Sequence, residues 1–269
     1  MAVYNVHGGH NPSGKVACGA TGFLDESKED RRICKEVIRL LKAAGHKAYD
    51  CTCNNGKNQT DVLKKICDKC NQRTAKLDIS IHFNSGRNDK KGDKKVAGCE
   101  IWCTEASGIK KTAADRILKN MKSLGFTNRG IKTTKNLYYL NHTKNKAILI
   151  EVCFVDDKDD EKLYKKLGYK KIAKAIAQGI TGENVTTAKV GGTQPYYTIK
   201  KTSSKTAIQW LQKKLNACYT GKLPNLAADG IWGSKTQQML EAYWKQLGWK
   251  KGTYAGEKTC KALYKNRKK

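Results

Sequence analysis

No stretch of this chain approaches the run of about 18 apolar residues that a membrane-spanning helix needs, so no transmembrane segment is expected. The N-terminus also lacks a charged leader, an apolar h-region and a small-residue cleavage site. It enters a β-prone run at once. The expectation is cytosolic synthesis without a signal peptide. Acidic residues are scarce, with 24 Asp and Glu against 53 Lys and Arg, a net charge of +29. Such a chain is drawn to polyanions: nucleic acid, an anionic membrane or an anionic wall polymer. The lysines are scattered instead of gathered in a tail or one basic helix, and no nucleic-acid motif is present. Nucleic acid is therefore not the expected partner.

What is plentiful is cysteine. Eleven is an odd count, which leaves at least one thiol without an intramolecular disulfide partner. Cys51-x-Cys53 and Cys67-x-x-Cys70 have the spacing of a four-thiolate zinc site. The stronger reading is structural. Val62, Leu63, Ile66, Cys67 and Cys70 recur at helical spacing, which makes the last two small core residues on one apolar face.

A length of 269 residues suits one or two domains. Residues 2–6 read as a strand, followed by the loop His7-Gly-Gly-His10-Asn-Pro-Ser-Gly14. Asp25 or Ser27 caps a helix whose apolar stripe is Ile33, Val37, Leu40, Leu41 and Ala44, ended by Gly45. Strands are expected at 47–51, 77–82, 97–103, 137–140 and 147–152, and helices at 109–124, 159–167 and 170–179. The near-continuous apolar run 147–152 suits a central parallel strand covered on both faces. Alternating strands and helices over about 180 residues predict an α/β domain with a doubly wound, mostly parallel sheet. From Asn184 to Ser203 the periodicity stops, and Gly191-Gly192-Thr193-Gln194-Pro195 has linker composition. A second, small helical domain follows. Its weak internal repeat pairs Gly230-Ile-Trp-Gly-Ser-Lys-Thr236 with Gly252-Thr-Tyr-Ala-Gly-Glu-Lys-Thr259. The expected boundaries are 1–183, a linker over 184–202, and 203–269.

Four residues then stand out as chemistry. His10 follows the first strand, Glu26 opens the first helix, His82 ends a strand, and Glu151 lies near the end of the buried strand. In an open α/β sheet, functional groups gather beyond the carboxyl ends of the strands, so distant positions can meet. Two imidazoles and a carboxylate with an open fourth position form a zinc-hydrolase ligand set. A non-ligating carboxylate can serve as base. Each also has a structural reading: Glu26 as a helix-terminus charge, His82 as a histidine satisfied by a carbonyl, His7 as a rival to His10. A carboxylate in Ala-Ile-Leu-Ile-Glu-Val-Cys-Phe is the hardest to assign to structure alone.

Val6 to Gly14, Asp25-Glu26, Ile79-Ser-Ile-His-Phe-Asn84 and Leu149-Ile-Glu-Val-Cys-Phe-Val155 resemble, in order and spacing, the zinc-dependent N-acetylmuramoyl-L-alanine amidases of the Amidase_3 type. Asn128-Arg129-Gly130-Ile131-Lys132 matches that family too, and the resemblance spans residues 1–181. It implies zinc held by His10, Glu26 and His82, with Glu151 as the catalytic glutamate. The glycine before His10 fits the family pattern better than the setting of His7. Substrate contacts fall to Asn84 and Arg129. The chain departs from the pattern at Lys146, where the family has proline, and at the cysteines after the second strand, in place of the usual Thr-Arg.

The second module is similar to the peptidoglycan-binding domain of the PG_binding_1 type, through Ile208-Gln-Trp-Leu-Gln212 and Ala228-Asp-Gly-Ile-Trp-Gly-Ser-Lys-Thr236. Trp232 is its candidate wall contact, with core packing as the alternative. Together the resemblances imply a hydrolase cutting the amide between N-acetylmuramic acid and L-alanine in bacterial peptidoglycan, aided by attraction to anionic wall polymers. Without a leader, a phage or prophage endolysin that acts on the wall after release is expected. The alternatives are a bacterial autolysin or sporulation amidase, and a non-catalytic wall-binding protein.

Overall fold

Val3–Gly8 forms β1, and its alternating side chains send Tyr4 and Val6 into one core while Asn5 and His7 point to the other side of the sheet. Asp25 caps the first helix, α1 (Glu26–Ala43), by accepting from the Lys28 N–H, and Ser27 does not. The chain then forms β2 (Lys47–Asp50), α2 (Gln59–Asn71), β3 (Leu77–Asn84), β4 (Cys99–Cys103), α3 (Gly108–Ser123), β5 (Asn128–Thr133), α4 (Tyr138–His142), β6 (Ala147–Phe154), α5 (Lys158–Leu167) and α6 (Tyr169–Thr181). This computed structural model describes residues 1–183, 196 and 198–268. Most of the expected linker, 184–195 and 197, lies outside the described residues.

The six strands form one sheet in the order β2-β1-β3-β6-β4-β5. β2, β1, β3 and β6 are mutually parallel, whereas β4 runs antiparallel to β6 and carries β5 parallel to itself. The expected α/β sheet is thus mostly parallel with a reversed pair at one side. Ile148, Ile150 and Val152 of β6 share a core with residues of α1, α3 and α6. Ala147 and Leu149 join a second cluster with α2 and α4. Both faces of β6 are covered, as its unbroken apolar run required.

The four cysteines in the candidate thiolate pattern, Cys51, Cys53, Cys67 and Cys70, are all buried in that second cluster. They pack there with Val62, Ile66, Tyr139 and Leu140, as the structural reading of that helical face expects. Two expectations need correction. Residues 137–140, expected as a strand, lead into helix α4. A strand would send Tyr139 and Leu140 to opposite faces, but one helical turn packs both into the second cluster. β5 was not expected at all. It is an edge strand with mostly exposed residues and a positive φ at Gly130, so no apolar alternation marks it.

The second unit, 192–269, has its own core. Helix α7 (Lys205–Cys218) is capped by Ser204, and α8 (Ser234–Gln246) and α9 (Glu257–Tyr264) each begin within one copy of the sequence repeat, which supplies their first turn. Gln212, buried on α7, organises the first copy. Its amide donates to Asp229 Oδ1 (2.8 Å) and the Ile231 carbonyl (3.0 Å), and its Oε1 accepts from the Gly230 N–H (2.9 Å). Among the described residues, no helix is long and apolar enough to cross a membrane.

Candidate metal centre and active site

The loop after β1 is held at several points. Asn11 donates to the carbonyls of Val16 and Gly56, both 2.8 Å, and accepts from the Gly56 N–H at 3.0 Å. Arg31 on α1 donates to the His10 and Cys53 carbonyls. His10 is thereby turned toward the start of α1, where Glu26 is 3% exposed. Neither Asn11 nor Arg31 was singled out in the sequence, because a carbonyl partner leaves no residue pattern.

Glu26 Oε1 lies 3.2 Å from His10 Nε2 and 3.1 Å from His82 Nδ1, and accepts from the Phe83 N–H at 3.0 Å. Its Oε2 accepts from the Ala20 N–H at 2.8 Å. The two imidazoles meet edge to face, 4.7 Å between centroids. One ligand atom from each of His10, Glu26 and His82 lies within 4.8 Å of the others. Burial opposes ionisation of Glu26, but the hydrogen bonds to His10 and His82 outweigh it and hold the carboxyl far below its ordinary range.

Neighbouring backbone is shaped to this cluster. A Cβ on Gly9 would stand 1.8 Å from His82 Cε1, and one on Gly19 would stand 2.5 Å from Glu26 Oε2. Gly19 also has φ +78°, which favours glycine on its own account. Two nitrogen donors and one buried carboxylate oxygen, converging where side chains are excluded, fit zinc.

His7, the rival to His10, does not reach Glu26's carboxylate. It is buried against Tyr139 with ring centroids 4.6 Å apart, and its Nδ1 lies 3.2 Å from the Gly8 carbonyl. Burial holds it neutral, with a pKa lowered to about 3.

Glu151 is the register partner of His82 on β3 and of Glu100 on β4, so the three form one row across the sheet. All three line a cleft of about 490 Å³, together with His10, Tyr139 and Trp102. Burial first, then the carboxylates of Glu26 and Glu100, push the Glu151 pKa up to about 8. Its Oε2 is buried and, among the described residues, has no hydrogen-bond partner. The same holds for His7 Nε2, Ser80 Oγ and Tyr139 Oη, whose residues line the same cleft. Such atoms are costly to bury unless a ligand or water completes them.

Asn84 and Arg129 both reach Glu100. Asn84 Nδ2 donates to Glu100 Oε1 (3.1 Å), Arg129 Nε lies 2.8 Å from Oε2, and the Trp102 indole adds 3.0 Å to Oε1. Asn84 lines the cleft, and Arg129 stands behind Glu100 with its guanidinium 4.9 Å from the Phe154 ring centroid. Glu100 escaped the sequence reading, although a carboxylate in Gly-Cys-Glu-Ile-Trp-Cys carries the same signal as Glu151. Trp232 is 7% exposed in the core of the second unit, the packing alternative considered for it.

The catalytic domain of the CD27L endolysin targeting Clostridia Difficile has a similar structure. Its TM-score is 0.61 at 28% identity, covering 69% of this chain and all of that domain. Cwp6 from Clostridium difficile gives 0.56 at 27% identity, over 67% of this chain and 29% of that one. In sequence, the chain is 34% identical over 181 residues to an uncharacterized protein of Clostridium perfringens strain 13, covering 67% of this chain and 52% of the relative. It is 29% identical over 198 residues to the endolysin of Bacillus phage SPP1, covering 72% and 70%. The chain spans about half the length of its two Clostridium perfringens relatives. The model of Amidase_3, described as N-acetylmuramoyl-L-alanine amidase, matches residues 3–182, which takes in every strand of the sheet and the whole His10–Glu26–His82 cluster. By that match the chain belongs to the Amidase_3 family of N-acetylmuramoyl-L-alanine amidases.

Proposed function

We propose that this chain is a zinc-dependent peptidoglycan hydrolase that cleaves the amide between the lactyl group of N-acetylmuramic acid and L-alanine of the stem peptide. The observation that carries the reading is the row made by His82 and Glu151. One belongs to the candidate ligand cluster, and the other is a half-buried carboxylate whose buried Oε2 has no partner among the described residues. Held by His10, Glu26 and His82, zinc would supply Lewis-acid polarisation of the scissile carbonyl and greater acidity of the attacking water. Glu151 takes the proton from that water and returns it to the departing L-alanine nitrogen as the carbon–nitrogen bond breaks. A carboxyl whose proton affinity is raised by burial is suited to both halves of that transfer. His7, Ser80 and Tyr139 offer hydrogen bonds to the substrate along the cleft.

In the same reading, the second unit attaches the enzyme to the wall and the protein works as an endolysin, made in the cytosol and active once released. Likeness to the SPP1 phage endolysin supports this. So does charge: residues 192–269 hold sixteen Lys and Arg against three acidic residues, suited to anionic wall polymers. The test is turbidity loss of purified bacterial walls, with product analysis for new L-alanine amino termini. New reducing ends without such termini would show a glycosidase instead, and undiminished lysis after full chelation would remove zinc from the reading.

A further inference from the structure

The two copies of the repeat in the second unit align one to one from Ile231/Tyr254 to Thr236/Thr259, with one extra residue in the second copy ahead of that stretch. Trp232 corresponds to Ala255, and Thr236 to Thr259, all buried. Ile231 corresponds to Tyr254, and these are exposed at 66% and 47%. The matching positions of Trp232 with Ala255 and of Thr236 with Thr259 therefore build the core. At that exposed position the first copy carries an aliphatic side chain and the second an aromatic one.

The second copy borders a groove. It has a volume of about 530 Å³, within the range of small-molecule sites. Trp249 and Tyr254 line it, with Lys250 and Lys258, over the buried edge of Trp244. No carboxylate lines it. The neighbouring Lys251 is paired with Glu241 at 3.2 Å and is not among the lining residues. Lys258 Nζ sits 4.3 Å from the Trp249 ring centroid, which fixes a cation beside an aromatic plate.

The backbone beneath both rings is tied down. The Trp249 N–H donates to the Trp244 carbonyl at 2.8 Å, and Ala255, next to Tyr254, exchanges backbone hydrogen bonds with Ile199 at 2.9 and 3.0 Å. With Lys258 already over Trp249, the exposed Tyr254 ring is the plate left to stack on the C–H face of a sugar, and a groove whose lining charges are Lys250 and Lys258 favours a sugar chain that carries negative charge.

We propose that the groove between Trp249 and Tyr254 is the seat of an anionic glycan, namely the peptidoglycan strand with its acidic peptide stems. This rests on the wall-attachment reading of the second unit. Trp232 then serves as a core residue, and recognition belongs to the degenerate second copy.

The test is co-sedimentation of the full chain with purified peptidoglycan at about 0.15 M salt, in a Glu151→Gln background so that the walls persist. The peptidoglycan is used before and after removal of its phosphate-containing polymers. Tyr254→Ala and Lys258→Gln should each weaken binding by about tenfold, the loss expected of an anchor residue. Ile231→Ala, at the matching position of the first copy, should bind as the parent does. Unchanged melting of the variants shows that a loss is local. Parental binding by both groove variants overturns the assignment of the groove while leaving wall attachment intact. Binding that vanishes when the phosphate polymers are removed overturns the choice of glycan. Failure of the parent to sediment with either preparation overturns the wall-attachment reading itself, and this assignment with it.

Discussion

Glu100 and Glu151 face one another across the antiparallel β4–β6 ladder, two carboxyl groups in direct register where like charges repel. Their surroundings differ sharply. Glu100 has Arg129, Asn84 and the Trp102 indole as partners, whereas Glu151 Oε2 has none among the described residues. Pairs of carboxyls in unequal surroundings divide proton affinity between them. Burial, then the carboxylates of Glu26 and Glu100, push the Glu151 pKa up to about 8.

Replacing Glu100 by glutamine should therefore act on Glu151. Removing a nearby negative charge makes ionisation of Glu151 easier, so its pKa falls. A general base works only when ionised, so the acid limb of the pH–rate profile should move to lower pH. The measurement is wall lysis at fixed zinc from pH 4 to 9. An acid limb that stays put, or moves upward, would break the link between these two residues.

Gly9 tests the cluster by sterics alone. A Cβ there would lie 1.8 Å from His82 Cε1, and a ring backed by strand β3 has little room to withdraw. Gly9→Ala should abolish tight zinc binding and lysis, with the second unit still folded. Metal analysis after gel filtration decides it, with about one zinc per chain expected in the parent. Parental zinc content in the variant would mean that His82 is not a ligand.

The sequence displayed more of this site than of the sheet. Glu151 was legible because a charge inside an apolar run breaks a local pattern, whereas an acidic residue at a helix start is ordinary, so Glu26 was legible through the family resemblance. The antiparallel course of β4 was not legible. Direction is set by which neighbour a strand pairs with, and residues 99–103 read alike in either sense. β5 was hidden for the opposite reason to β6: an exposed edge strand has no apolar face to announce it. Residues 137–140 misled because aromatic and leucine residues suit strands, yet packing against α2 placed them at a helical turn. Glu100 was legible but unnoticed. The role of Gln212 follows only from its contacts, since glutamine at a helical position is unremarkable.

Those contacts make Gln212 a stability test confined to the second unit. Gln212→Ala leaves the buried Gly230 N–H without its acceptor and frees the Asp229 turn. Leaving such a group unpaired costs about 1–3 kcal/mol. The unfolding transition of the second unit should drop accordingly, while that of residues 1–183 and hydrolysis of a small soluble muramoyl-peptide stay unchanged. Calorimetry of the full chain reads both. A shift in both transitions would show that the two units do not unfold independently.

Glu151→Gln separates chemistry from structure at the base itself. The change is nearly isosteric and removes the proton acceptor, so lysis should fall by about 10²- to 10⁴-fold with zinc content retained. Stability should respond to pH in a defined direction. In the metal-free parent, native Glu151 keeps its proton up to about pH 8, whereas the unfolded chain releases it near the ordinary glutamate value of 4.5. The native state therefore binds more protons between those limits, and its stability falls as pH rises through that window. Asp30 and Asp160, raised to about 8 and about 6 by burial, act in the same direction but are common to parent and variant. The difference in melting temperature between the two proteins isolates Glu151. Relative to the parent, the glutamine variant should gain stability steadily from pH 4.5 to 8 and no further above it. A difference that stays flat across this range would show that Glu151 is ionised in the native protein at acidic pH. It would then lack the raised proton affinity on which its dual role depends.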